Sequence, residues 1–274
     1  MAGPAGAHIG RRSVSILGFG NETTKTRSTN FHLVRQQKYT LEPSISLTLS
    51  PNLWASVGPV FKLINNREDT GRFLGDVAPD TYGSGWFTQL GSQAAVSFDT
   101  RDHHTAPSRG VSVNAGGSFY PALGDVTKTF GEAHGAVATY LSFSGVLQPV
   151  LAIRLGAKKV WGRFPFHEAA FLGGDSTVRG LTKLRFAGDA SVYGNAELRV
   201  RVSRFRLLAP TEWGLIALAD GGRVFYHGES SSEWHGASGG GVWFAPLHHN
   251  YTFSVTFARS VEQSKIDLRA GFMF

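Results

Sequence analysis

The sequence predicts an all-β chain that closes as an antiparallel transmembrane β-barrel, and three observations carry that prediction. Apolar residues recur at every second position along most of the chain, the period of a strand with one apolar face. No segment of about ten residues keeps a helical period, and no run approaches the ~18 consecutive apolar residues of a membrane helix. The positions between the apolar ones favour Ser, Thr, Gly, Ala and Gln with scattered Arg, where a soluble sandwich places Lys and Glu. Composition agrees: 34 glycines in 274 residues, aromatics at 12% and charged residues at only 17%.

Thirteen segments carry the pattern, near 13–25, 29–38, 40–50, 53–65, 86–102, 108–121, 130–145, 149–162, 190–207, 211–226, 235–245, 250–260 and 264–274. In 41–50, Leu41, Pro43, Ile45, Leu47 and Leu49 alternate with Glu42, Ser44, Ser46, Thr48 and Ser50. In 149–158, Leu151, Ile153, Leu155 and Ala157 alternate with Ala152, Arg154, Gly156 and Lys158. Ala196, Leu198, Val200 and Val202 are set against Glu197, Arg199, Arg201 and Ser203, and Tyr251, Phe253, Val255 and Phe257 against Thr252, Ser254, Thr256 and Ala258. Most connections are short, whereas 66–85 and 163–189 are long and rich in Gly, Asp and Thr. Short turns on one side and long loops on the other are the layout of an outer-membrane barrel. Trp54, Trp86, Phe87, Tyr120, Trp161, Trp213 and Trp243 fall near strand ends, where interfacial girdles sit.

Several functions are set aside by what is missing. Cysteine is absent, which excludes disulfides, thiolate zinc sites and a cysteine nucleophile. The net charge is +7, but the basic residues form no run of like charge, so nucleic acid is not an expected partner. His103-His104 and His248-His249 lie on extended chain with no acidic cluster, and read as exposed loop residues rather than metal ligands. No nucleophile-elbow motif occurs. The expectation is a non-enzymatic protein without catalytic residues, metal or cofactor.

The loop at 163–189 contains Phe171-Leu172-Gly173-Gly174-Asp175-Ser176-Thr177-Val178-Arg179-Gly180-Leu181. A loop this long in a tight meander is usually functional. Its Gly-Gly pair followed by Val178-Arg179-Gly180 resembles the motif of the bacterial surface antigen family, the barrel of BamA- and TamA-like outer-membrane assembly and translocation proteins. The sequence departs at Leu181, where the family has an aromatic residue. The likeness extends over 95–274: Asp99-Thr100-Arg101-Asp102 with Pro107-Ser108-Arg109-Gly110, Gly194-Asn195-Ala196-Glu197-Leu198-Arg199, and Leu218-Ala219-Asp220-Gly221-Gly222-Arg223-Val224 are similar to family segments in the same order. Residues 1–94 match in pattern alone.

The resemblance implies a lumen loop whose functional residues are Gly173, Gly174, Val178, Arg179 and Gly180, with Asp220 and Glu197 as partners of Arg179. It implies a pore or lateral gate for inserting or translocating protein, in a bacterial outer membrane, with outer-membrane lipid, the barrel assembly machinery and unfolded or translocating polypeptides as partners. The last strand adds Ile266, Leu268, Ala270, Phe272 and Phe274 at alternate positions, which resembles the terminal signal that outer-membrane barrels present to that machinery. A passive porin-like channel and the membrane anchor of an upstream enzyme are the alternatives.

About 12–13 strands are visible, against sixteen in the family. Either one strand is split and the barrel closes at twelve, or N-terminal strands and a periplasmic module precede residue 1. No apolar stretch of signal-peptide length opens the chain, and the expectation taken is that 1–274 form part of a sixteen-stranded barrel, with residues 1–12 a loop.

Overall fold

A computed structural model describes residues 6–15, 18–23, 31, 33–67, 69–71, 76, 81–206, 210–247 and 251–274. The long strands are β1 (Gly6–Ser15), β2 (Leu33–Glu42), β3 (Ile45–Ser50), β4 (Leu53–Asn66), β5 (Gly85–Asp99), β6 (Gly110–Tyr120), β7 (Phe130–Ser142) and β8 (Val150–Gly162). After the 163–189 loop, which carries the short β9 (Ala170–Leu172) and β10 (Phe186–Gly188), come β11 (Ala190–Arg206), β12 (Pro210–Phe225), β13 (His235–Pro246), β14 (Phe253–Ser260) and β15 (Ser264–Ala270). They form one meander in the order β1-β2-β4-β5-β6-β7-β8-β11-β12-β13-β14-β15, with β3 also on β4. Every pairing in it is antiparallel. Among the described residues β1 and β15 are its edges.

β2 and β3 lie in line along the same flank of β4, Leu41 opposite Phe61 and Ile45 opposite Val57. They therefore occupy one strand position, and the sheet has twelve. The break falls at Pro43-Ser44, not near residue 39 as the alternation predicts. Proline offers no N–H to the ladder, and Gly58 opposes it so closely that a Cβ there would lie 2.0 Å from the Pro43 carbonyl oxygen. A second correction concerns the start: residues 6–15, read from sequence mostly as loop, pair with β2 from Gly6↔Glu42 to Ser15↔Leu33. The expected strand over 13–25 lies partly outside the described residues.

The two faces are inverted relative to a soluble protein. Outward rows are apolar and open: Leu155 is 58% exposed, Ile266 64% and Leu268 75%. Inward rows are closed and mix polar with apolar side chains: Gln89 is 0% exposed, Glu197 2% and Arg199 3%, beside buried Val60, Ile64, Ile216 and Leu218. In water each leucine left outside forgoes about 1.5–3 kcal/mol of burial, so such rows are stable only against lipid. β4, β5, β7, β8, β11 and β12 run 13–17 residues, beyond the ~9–11 that cross a bilayer. Trp86 and Trp161 face outward at the long-loop end, as a girdle requires, but Phe87, Tyr120 and Trp243 turn inward and are buried. Strand-end position alone does not distinguish the two faces.

Candidate functional site

The 163–189 loop folds into the lumen and is ordered by its own bonds. A short 3-10 turn, Phe166–Glu168, leads into the β9–β10 hairpin, where Leu172 pairs with Phe186. At the tip, the Gly174 N–H donates to the Val178 carbonyl at 3.1 Å and the Gly173 N–H to Thr177 Oγ1 at 2.8 Å. Gly173, Gly174 and Gly180 have φ of 112°, 94° and 81°, which side chains other than glycine rarely adopt. Val178 and Leu181 are buried with Leu172, Phe186, Val224 and Ala237, so Leu181 anchors the loop tip as an apolar contact.

That packing aims Arg179 at the wall. Its Nε donates to Asp220 Oδ2 at 2.8 Å, Nη2 to Oδ1 at 2.8 Å, and its backbone N–H to Oδ2 at 2.9 Å. Nη1 donates to Glu197. The side chains of Arg179 and Asp220 are 3% and 0% exposed. Burial alone lowers the guanidinium pKa, but Asp220 and Glu197 outweigh it and the net shift is upward. Charge-assisted, bidentate geometry of this kind fixes direction as well as distance. Glu197 also accepts from Arg199 Nε at 2.8 Å, so one carboxylate serves two buried cations. Beside it, Arg154 donates to Asn195 Oδ1 at 2.8 and 3.0 Å and to the Ser176 carbonyl at 2.8 Å.

Two further anchors of the loop were not legible in the motif. At its start, Glu168 accepts from Lys62 on β4 at 2.8 Å, both side chains being under a tenth exposed. Burial raises the Glu168 pKa, but the Lys62 charge overrides it and holds the carboxyl at about 2. Its neighbour His167 accepts at Nδ1 from the Asn66 amide at 3.1 Å, which leaves the Nε2 proton for Gln89 Oε1 at 3.3 Å. A lysine on the inward row between Val60 and Ile64 was the available signal. At its end, Arg185 donates to Glu262 at 2.7 and 2.8 Å and to Thr23 Oγ1 at 2.9 Å. Ser260 Oγ donates to the Gly180 carbonyl at 2.7 Å, and Arg269 Nη2 to that of Asp175 at 2.7 Å.

These anchors give two expected results. Glu168→Ala leaves the Lys62 ammonium buried without its partner, a loss of about 3–5 kcal/mol for such a pair, and limited trypsin digestion should then cleave at Arg163 while Arg179 stays protected. The second concerns pH. Burial pushes the His167 imidazole down from 6.5 to about 4, so between those values a released loop binds a proton that the seated loop does not. Seating is therefore strongest above pH 6.5 and weakens as pH falls toward 4. At the lower end of that window, below the ordinary carboxyl value of 4.5, Glu168 adds to the loss, because only the seated loop holds it at about 2. Loop proteolysis measured against pH should rise across it, and His167→Asn should flatten the curve.

The C-terminal row ends sooner than the alternation predicts. Ile266, Leu268 and Ala270 face outward on β15, but Gly271 has φ of 85° and turns the chain inward. Phe272 packs with Trp243 and Phe274 with Tyr140 on the lumen side. A Cβ at Gly271 would lie 2.8 Å from the Thr105 carbonyl. His104 is exposed beside Asp99, His248-His249 lie outside the described residues, and among those described no cluster of three or more metal-type ligands occurs.

An antiparallel sheet with an apolar exterior, an interior that buries charged and polar side chains among apolar ones, and a long loop bound inside defines a transmembrane β-barrel domain with an occupied lumen. The chain belongs to the Omp85 superfamily, whose domain matches residues 10–274. It is similar in fold to the crystal structure of BamA from Haemophilus ducreyi lacking POTRA domains 1–3, with a TM-score of 0.64 and 12% identity, over 86% of this chain and 53% of that one. The chain thus spans about half the length of that structure. No curated protein sequence matches it.

Proposed function

We propose that this chain forms the outer-membrane barrel of a protein that inserts polypeptides into the membrane or translocates them across it, with the 163–189 loop as the element that organises the lumen. Its partners are outer-membrane lipid, the barrel assembly machinery and unfolded polypeptide. The observation that supports this best is the buried bond set from Arg179 to Asp220 and Glu197, which ties a loop inside the lumen to two adjacent strands. The terminal row Ile266, Leu268 and Ala270 supports engagement with assembly machinery through an outward, lipid-facing edge.

The test uses liposomes containing the purified protein and a urea-unfolded outer-membrane barrel protein as substrate. Protease-protected substrate should accumulate faster than in empty liposomes, and Arg179→Ala should abolish the difference. Equal rates in both liposomes, or steady ion conduction indifferent to Arg179, would refute this reading in favour of a channel.

A further inference from the structure

The outward rows are apolar except at one end of the barrel. On the strands whose side chains are described, each charged residue that faces outward is a cation near the long loops: Arg35 on β2, Lys159 on β8, Arg223 on β12 and Arg259 on β14. The strand carboxylates, Glu132, Glu197, Asp220 and Asp267 among them, turn inward. Arg35 is paired with Asp69 at 3.6 Å. Among the described residues the other three make no ion pair. Lys159 stands one outward position before Trp161 of the girdle, at the depth where lipid headgroups begin.

Beside two of these cations the outer wall is hollowed. A groove of about 770 Å³ crosses β6 to β12, lined by the outward residues Ala115, Gly135, Ala157, Val192 and Gly221, with Leu155 and Trp234 standing at its sides. Its volume lies within the ~300–1,000 Å³ of small-ligand sites. Backbone packing does not demand its glycines: an added Cβ would meet nothing closer than 3.4 Å at Gly135 or 4.0 Å at Gly221, and neither has a positive φ. A second cavity, of about 270 Å³, holds Lys159 and Arg223. Val192 pairs with Ala157 of the groove on one side and with Arg223 on the other, which joins the two spaces at the long-loop end. The Arg223 guanidinium lies 4.6 Å from the Phe225 ring centroid and 5.8 Å from that of Trp234. Its Nη2 donates to the Ser231 carbonyl at 2.6 Å, and its Nε has no partner among the described residues. The acids of this cavity are engaged, Asp189 by the His227 N–H at 2.7 Å and Glu229 by the Asn21 N–H at 2.9 Å.

Lys159 and Arg223 stand two strands apart, roughly 10 Å at ~4.8 Å per strand, a spacing for two phosphates rather than for two contacts to one. Cations at headgroup depth bind phosphate through charge-assisted bonds, and the long-loop end is the extracellular one. We propose that the groove and the cationic cavity beside it form a binding site for an outer-leaflet lipid that carries more than one phosphate, an acyl chain lying over Gly135 and Gly221 and the phosphates meeting Lys159 and Arg223. This deepens the lipid partner named above. It rests on the outer-membrane reading and not on insertion or translocation, so a protein inactive in the liposome assay still binds the lipid.

The probes are lipid A, which carries two phosphates, its monophosphoryl form, and phosphatidylglycerol. Each is titrated into the purified full-length protein in detergent, and bound lipid is read by native mass spectrometry. Lipid A should be held one to one, at least about tenfold more tightly than phosphatidylglycerol, with the monophosphoryl form between them. Lys159→Gln/Arg223→Gln should bring the three lipids to one level. Gly135→Leu/Gly221→Leu keeps both cations and fills the groove, and should weaken lipid A severalfold. Arg35→Gln, on distant β2 and already paired with Asp69, should leave lipid A binding unchanged. Equal binding of lipid A and phosphatidylglycerol by the unaltered chain overturns the proposal, and so does lipid A binding that survives either double variant. The comparison of lipids on the unaltered chain needs no variant and decides the matter even if one fails to fold.

Discussion

Asp220→Ala is expected to unseat the loop tip and to destabilise the domain by about 3–5 kcal/mol, the range for removing one side of a buried ion pair. The carboxylate accepts from Arg179 Nε and Nη2 and from the Arg179 backbone N–H. Its loss leaves a guanidinium, 3% exposed, with Glu197 alone. The penalty comes from the stranded cation rather than from the missing contact. Trypsin cleavage at Arg179 and Lys183 should accelerate, and the urea midpoint of the folded band on unheated gels should fall. Arg179→Lys keeps the charge but not the fork that spans both Asp220 oxygens, so it should fall between the two. Arg179→Ala with Asp220→Ala should cost less than the sum of the single changes. Additive losses would contradict the pairing.

The second large effect is expected at Glu197, which stands between two cations. Arg179 and Arg199 both donate to it, and its side chain is 2% exposed. Glu197→Ala leaves both guanidinium groups facing a carboxylate-free wall, so its loss should equal or exceed that of Asp220→Ala. It should also do what Asp220→Ala does not, and loosen Phe272 and Phe274, because Arg199 is oriented from one side by Glu197 and from the other by the tail. Thiol labelling of Met273→Cys should therefore quicken in Glu197→Ala and stay slow in Asp220→Ala. Equal tail reactivity in the two variants would show that the loop and the tail are not linked through Glu197.

The strands were legible because one face of each must be apolar, and a period of two survives any choice of inward residue. Leu155, Leu198 and Phe257 are outward residues in the sequence and in the structure alike. Where a residue's face depends on backbone geometry, the alternation misleads. Phe272 and Phe274 continue the outward row by count, yet a positive φ at Gly271 reverses them. β1 was missed because Arg11 and Arg12 interrupt its apolar alternation, whereas the backbone ladder to β2 is indifferent to side-chain polarity. The Arg179 motif was legible because its glycines and arginine lie together in sequence. Lys62 with Glu168, and Arg185 with Glu262 and Thr23, join residues 77–162 positions apart, and nothing local marks such pairs before the loop is seen folded inside.

The central claim is a membrane barrel with its apolar face outward and its loop-filled face, which carries the buried charges, inward. Because the chain contains no cysteine, single cysteines at successive positions 253–258 and 213–218 can each carry a spin label in lipid vesicles. Collision with dissolved oxygen should peak at Phe253, Val255 and Phe257 and at Leu215 and Ala217, while collision with a water-soluble nickel complex should be low there and oxygen access should drop at the residues between them. Equal access of the nickel complex to both sets would place both faces in water and contradict the membrane barrel.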